Sequence, residues 1–183
     1  MKVLVTGGAA SGKSDVAERL VMRLQEPRYY LATMPMTGFE DQLRIEHHRA
    51  LRQGKGFTTV DIDALGIDEG LAMLEDAPGT VLLEDLGNLI GQFFYTRHGI
   101  PRDEQIVFEL ATEFIGNVMQ RCENLVIVCS AVGADGIPHD ALDESFVRLL
   151  GQVSCAIAAS CDAVVEVVCE QPIVVKGSID GLV

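Results

Sequence analysis

The residues Gly7, Gly8, Ala9, Ala10, Ser11, Gly12, Lys13 and Ser14 read GGAASGKS, which fits G-x-x-x-x-G-K-[ST], the pattern of a phosphate-binding loop. Glycines in such a loop let consecutive backbone N–H groups turn toward one anion without Cβ clashes. A helix that starts at the loop adds its positive end. Lys13 is then placed to reach the β- and γ-phosphates of a nucleotide, and the Ser14 hydroxyl to ligate Mg²⁺. A glycine turn that merely precedes Lys-Ser would match by chance in roughly one chain of this length in a hundred or fewer. The flanks also fit, since apolar Val3-Leu4-Val5 comes before the loop and Val16, Leu20 and Leu24 follow at helical spacing.

A second constellation is a basic stripe. The spacing predicts a helix over 39–52, ended near Gly54. On it Arg44, His48 and Arg52 stand at i, i+4 and i+8, whereas His47 shares another side with Leu43, Ala50 and Leu51. Repulsion from the two arginines favours the neutral, nucleophilic form of His48. The competing reading is a solvated basic face paired with Asp41 and Glu46. A third constellation ends the apolar run Thr80-Val81-Leu82-Leu83 in two carboxylates, Glu84 and Asp85. A carboxylate at a strand tip beside a phosphate loop holds Mg²⁺, directly or through water; spacing does not choose between the two. Ala32, Thr33 and Met34, at the tip of a predicted strand over 28–32, and a glycine-rich loop over 131–138 are further candidate substrate surfaces.

Apolar runs at 2–6, 28–32, 57–62, 80–85, 124–130, 163–169 and 173–176 alternate with helical periodicity through most of the chain. They predict a three-layer α/β fold of phosphate-loop NTPase type, its sheet mainly parallel with a C-terminal antiparallel hairpin turning at Glu170-Gln171-Pro172. One domain is the expectation for 183 residues. The apolar run Leu86, Leu89, Ile90, Phe93 and Phe94 reads as core or as an oligomer contact. Net charge is −13, from 14 basic and 27 acidic residues, so nucleic acid and anionic membranes are not expected partners. No apolar run reaches the roughly 18 residues of a membrane span, and the start of the chain does not read as a signal peptide. The five cysteines lack any C-x-x-C pair and read as free thiols in a reducing, cytoplasmic setting.

Taken together, VTGGAASGKS at the N-terminus, YLAT at 30–33 and RIEHHRALR at 44–52 resemble one family, with looser matches in LLED at 82–85, VGADGIP at 132–138 and VVK at 174–176. It is the bifunctional adenosylcobinamide kinase/adenosylcobinamide-phosphate guanylyltransferase family of cobalamin biosynthesis. The resemblance aligns the family's nucleotide-accepting histidine with His48. It implies phosphorylation of adenosylcobinamide by ATP or GTP, then GMP transfer from GTP through that histidine. It also implies nucleotide contacts at Ala32, Thr33, Met34, Arg49, Ala50, Leu51, Arg52, Asp61 and Glu84, and a homotrimer; Arg44 and Arg52, flanking His48, suit phosphate oxygens by their own chemistry. The chain departs from the family pattern at Ser130-Ala131, at Phe57 and at Glu84-Asp85. Two other readings share the loop: a kinase of another small metabolite, and a GTP-dependent switch without an acceptor.

Overall fold

The computed structural model describes residues 1–35, 46, 50, 52–62, 67–74, 79–96, 99–133 and 140–181. Seven strands form one sheet: β1 (Lys2–Gly7), β2 (Arg28–Ala32), β3 (Phe57–Asp61), β4 (Thr80–Glu84), β5 (Asn124–Ser130), β6 (Ala163–Val168) and β7 (Gln171–Lys176). Their order is β3-β2-β4-β5-β1-β6-β7. The first six run parallel and β7 is antiparallel to β6. The described helices are α1 (Lys13–Met22), α2 (Ile67–Ala72), α3 (Leu86–Phe94), α4 (Glu104–Arg121) and α5 (Ala141–Ser160). The fold is therefore the mainly parallel α/β architecture that the alternation of runs predicts.

Period-two alternation assigns the strand side chains to two layers. Val3, Val5, Leu82, Val126, Val128 and Val165 pack with Val16, Leu20 and Val21 of α1. Leu4, Leu31, Val81, Leu83, Leu125 and Ile127 pack on the other face with residues of α2 to α5. Both faces being covered explains why the strands read as continuous apolar runs. Phe93 and Phe94 are spent inside this core, against Phe114 at 6.1 Å and Phe146 at 5.8 Å between ring centroids. Only Tyr95, just beyond them, emerges, at 37% exposure.

The hairpin differs from the sequence reading in one respect. Its turn is Cys169-Glu170, both at positive φ (49° and 64°), and Gln171 and Pro172 already belong to β7. A two-residue loop with both residues left-handed matches the twist of the flanking strands. Pro172 is tolerated because β7 is an edge strand. Lys176 at the end of β7 donates to the carbonyls of Ala158 (2.8 Å), Ala159 (3.0 Å) and Cys161 (2.7 Å), closing the C-terminal end of α5 with a positive charge.

This topology brings the tips of β1, β2, β4 and β5 to one edge. Such an edge, beyond the carboxyl ends of parallel strands, is where open α/β sheets form binding crevices.

Candidate active site

The phosphate loop leaves β1 at Gly7 and enters α1 at Lys13. Two of its glycines are required by space. A Cβ on Gly7 would lie 2.6 Å from Ser11 Oγ and 2.7 Å from the Val167 carbonyl oxygen. Gly12 has φ +87°, and its Cβ would lie 2.7 Å from Glu170 Cγ. The hairpin turn thus braces the loop, and the Glu170 N–H donates to the Ser11 carbonyl at 2.8 Å. Lys13 is buried, with its ammonium donating to the Gly8 carbonyl at 3.1 Å. Ser11 Oγ is buried without a hydrogen-bond partner among the described residues. Orphan donors of this kind fit an anion that would accept from them.

Glu84 and Asp85 separate into two roles. Glu84 ends β4, accepts a hydrogen bond from Ser14 Oγ through Oε1, and accepts one from the Tyr30 hydroxyl through Oε2 at 3.2 Å. Asp85 instead caps α3: Oδ1 accepts from the Asn88 N–H at 3.0 Å. Its Oδ2 accepts from the Ser130 N–H at 3.1 Å and from Ser130 Oγ at 2.9 Å. Asp85 therefore pins the tip of β5 to the start of α3. Thr33 donates to the Asp85 carbonyl at 2.7 Å, and Gln92 donates to the Thr33 carbonyl at 2.6 Å, which fixes the turn after β2.

A cleft of about 310 Å³ opens between these groups, lined by Lys13, Ser14, Tyr30, Met34, Glu84 and Ser130 among others. Ala32 also lines it, and Asp61 lies opposite Ala32 in the register of β2 and β3. Among the described residues no three His, Cys, Asp or Glu side chains cluster to hold a metal. The donor set that does converge, one hydroxyl and one carboxylate, suits Mg²⁺, which keeps most of its waters and takes the rest of its shell from substrate phosphates.

Arg44, His47, His48, Arg49 and Leu51 lie outside the described residues, and so does most of the predicted loop over 131–138. Glu46, Ala50 and Arg52 are helical, as the sequence predicts. Arg52 is 93% buried, its guanidinium carbon 3.3 Å from the centroid of the Tyr30 ring. Ala50, Arg52, Gln53, Gly56, Phe57 and Thr59 line a second, larger hollow of about 680 Å³.

Two side chains of this site, Tyr30 and Ser130, were not singled out as site residues in the sequence, and Asp85 was singled out only as a candidate Mg²⁺ ligand. Asp85 as a cap was detectable, because an aspartate directly before an apolar helical run is a helix-start signal. Tyr30 and Ser130 carried no such signal, since their partners lie 54 and 45 residues away in sequence.

The fold and the braced loop define a phosphate-loop nucleotide-binding protein. Solved structures of the same fold include the assembled ATPase EscN of the enteropathogenic E. coli type III secretion system. That likeness has a TM-score of 0.51 at 10% identity, over 92% of this chain and 43% of that one, and it speaks to fold alone. The family model described as cobinamide kinase / cobinamide phosphate guanyltransferase matches residues 3–175, and the chain belongs to that family. It is 31% identical over 175 residues to the bifunctional adenosylcobalamin biosynthesis protein CobU of Salmonella typhimurium, covering 90% of this chain and 93% of that protein. It is 30% identical over 185 residues to the bifunctional adenosylcobalamin biosynthesis protein CobP of Pseudomonas aeruginosa, covering 97% and 98%. Among the described residues no helix is long and apolar enough to cross a membrane.

Proposed function

We propose that this chain phosphorylates the aminopropanol hydroxyl of adenosylcobinamide with a nucleoside triphosphate and then transfers GMP from GTP to the product. In the first step the hydroxyl oxygen attacks the γ-phosphorus and the nucleoside diphosphate leaves. In the second, a His48 ring nitrogen attacks the α-phosphorus of GTP, a P–N bond forms, and pyrophosphate leaves. A phosphate oxygen of adenosylcobinamide phosphate then attacks the same phosphorus. The P–N bond breaks, His48 is restored, and adenosylcobinamide-GDP is released.

The observation that carries this reading is the meeting of the phosphate loop with the end of the histidine segment. Ser14 bonds Glu84, Glu84 bonds Tyr30, and Arg52 lies on the Tyr30 ring. Arg52 is four residues after His48, one helical turn along the predicted helix. In this account the loop N–H groups of Gly8 to Ser14 and the Lys13 ammonium hold the phosphates. Arg44 and Arg52 add charge at oxygens of the reacting phosphate. Ala32, Thr33, Met34, Arg49, Ala50, Leu51 and Asp61 are proposed to line the nucleotide. Ser14 and Glu84 would hold Mg²⁺, which neutralises charge between the phosphates when bound. Asp85 is left to its structural bonds.

We place the reaction in the cytoplasm, consistent with five cysteines that are all free. We assign both steps to one domain and expect a trimer, which light scattering on the purified protein tests. The function itself is tested by supplying adenosylcobinamide, GTP and Mg²⁺ and following products by mass. Adenosylcobinamide phosphate followed by adenosylcobinamide-GDP is expected. GTP bound but neither product formed would reject the assignment and favour another acceptor.

A further inference from the structure

We propose that Tyr30 is a positioning residue that couples the cation-side carboxylate of Glu84 to the Arg52 guanidinium, holding the unpaired Nε and Nη1 donors of that arginine in place for a phosphate oxygen of the bound nucleotide. The proposal rests on the reading above for the identity of the ligand.

The geometry is that of a bridge. Tyr30 lies on β2, between β3 and β4 in the sheet, and its side chain faces the α1 layer. The hydroxyl donates to Glu84 Oε2 at 3.2 Å, while the other Glu84 oxygen receives the Ser14 hydroxyl. The ring face carries the Arg52 guanidinium at 3.3 Å, and the Phe57 ring meets it edge-on at 6.4 Å between centroids. One rigid side chain therefore touches both the phosphate-loop side of the site and the end of the histidine segment.

Arg52 supplies the reason for calling this a site rather than core packing. It is buried, yet Nε and Nη1 have no hydrogen-bond partner among the described residues. A guanidinium removed from water with two donors unspent is costly unless an acceptor completes it. Phosphate oxygens match a planar fork of donors, and lysine does not reproduce that match. A ring beneath the fork fixes its plane without using its N–H donors. Next to it, Lys55 is ion-paired with Glu18 of α1, which ties the turn after Arg52 to the helix that starts at the phosphate loop. Tyr30 as a plain core residue would explain its burial and its hydroxyl bond, but not the stacked arginine with unspent donors.

The test compares Tyr30→Phe, Tyr30→Leu, Arg52→Lys and the Tyr30→Leu/Arg52→Lys pair. GTP binding is read with a fluorescent GTP analogue across a Mg²⁺ titration, and far-UV circular dichroism reports folding. Tyr30→Phe keeps the ring and loses the bond to Glu84, so its Mg²⁺ half-saturation should rise about threefold or more. Tyr30→Leu removes the platform and should weaken binding roughly tenfold or more. Arg52→Lys added to it should then cost less than about twofold, because the fork is already misplaced. Losses that multiply in the double variant would overturn the proposal, as would a Tyr30→Phe half-saturation within threefold of the parent. Tyr30→Phe preserves the packing, so its outcome decides even where Tyr30→Leu does not fold. The readout needs neither corrinoid nor His48 adduct. A parent protein that binds GTP but forms no adduct therefore refutes the proposed activity and leaves the Tyr30 coupling to be judged by itself.

Discussion

Adjacent carboxylates at the tip of β4 are expected to fail in opposite ways when replaced. Asp85→Ala removes the α3 cap, worth about 1 kcal/mol. It also removes the charge-assisted bonds that hold the Ser130 N–H and hydroxyl, worth about 1.5–3 kcal/mol. The sum is about 3 kcal/mol, and a domain of this size loses about 2–4 °C of Tm per kcal/mol, so melting should drop by about 6–12 °C. Glu84→Gln keeps the shape and a hydrogen-bonding group beside Ser14 and Tyr30 but removes the charge. It should melt within about 2 °C of the parent and lose most of the Mg²⁺-dependent part of GTP affinity. Thermal melting by circular dichroism and titration with a fluorescent GTP analogue measure both. The reasoning is refuted if Asp85→Ala melts like the parent while losing Mg²⁺-dependent binding, or if Glu84→Gln is the variant that unfolds early.

Gly12→Ala should weaken GTP binding roughly tenfold or more, because a left-handed backbone costs a side chain about 1–2 kcal/mol and the new Cβ meets Glu170. Glu170→Gly in the same chain should recover part of the loss, and no recovery would deny the contact. Burial pushes the Cys129 and Cys161 thiols up to about 11, from a usual value near 9.0. Between those values the unfolded thiols release protons first, so stability should be full below about pH 9 and fall toward pH 11, by about 2–3 kcal/mol per thiol. Urea midpoints at pH 8, 9 and 10 read this, and a rising midpoint would contradict the sign. Lys176→Met removes the bonds that close α5 and should cost about 1–2 kcal/mol, visible as a lower Tm. An unchanged Tm would show those carbonyls to be equally well satisfied by water.

What was legible in the sequence follows what is local. The phosphate loop is a single run of neighbours, so its pattern states its geometry directly. The strands were legible because burial on both faces writes itself as apolar runs, and the extents of β2 and β5 match those runs residue for residue. The hairpin turn was misplaced because Pro172 is a strong turn signal, whereas Cys169 and Glu170 are weak formers of the left-handed turn they actually make. The Asp85 cap is local and was detectable, but the pairing of Glu84 with Ser14 and Tyr30 and of Asp85 with Ser130 was not legible from spacing, because those three residues arrive from other elements. The pairing of Tyr30 with Arg52 was hidden for the same reason. Each residue looked ordinary in its own segment, and only the β2–β3 register brings Tyr30 beside Phe57 and the turn that follows Arg52.

The central claim is a covalent GMP on His48, and the most direct measurement incubates the protein with Mg²⁺ and GTP labelled on the α-phosphate, followed by denaturation, intact mass and peptide mapping. The account predicts an acid-labile, alkali-stable GMP adduct on the peptide carrying His48, lost in His48→Ala. GTP bound by the parent protein with no adduct, or an adduct that persists in His48→Ala, would contradict it.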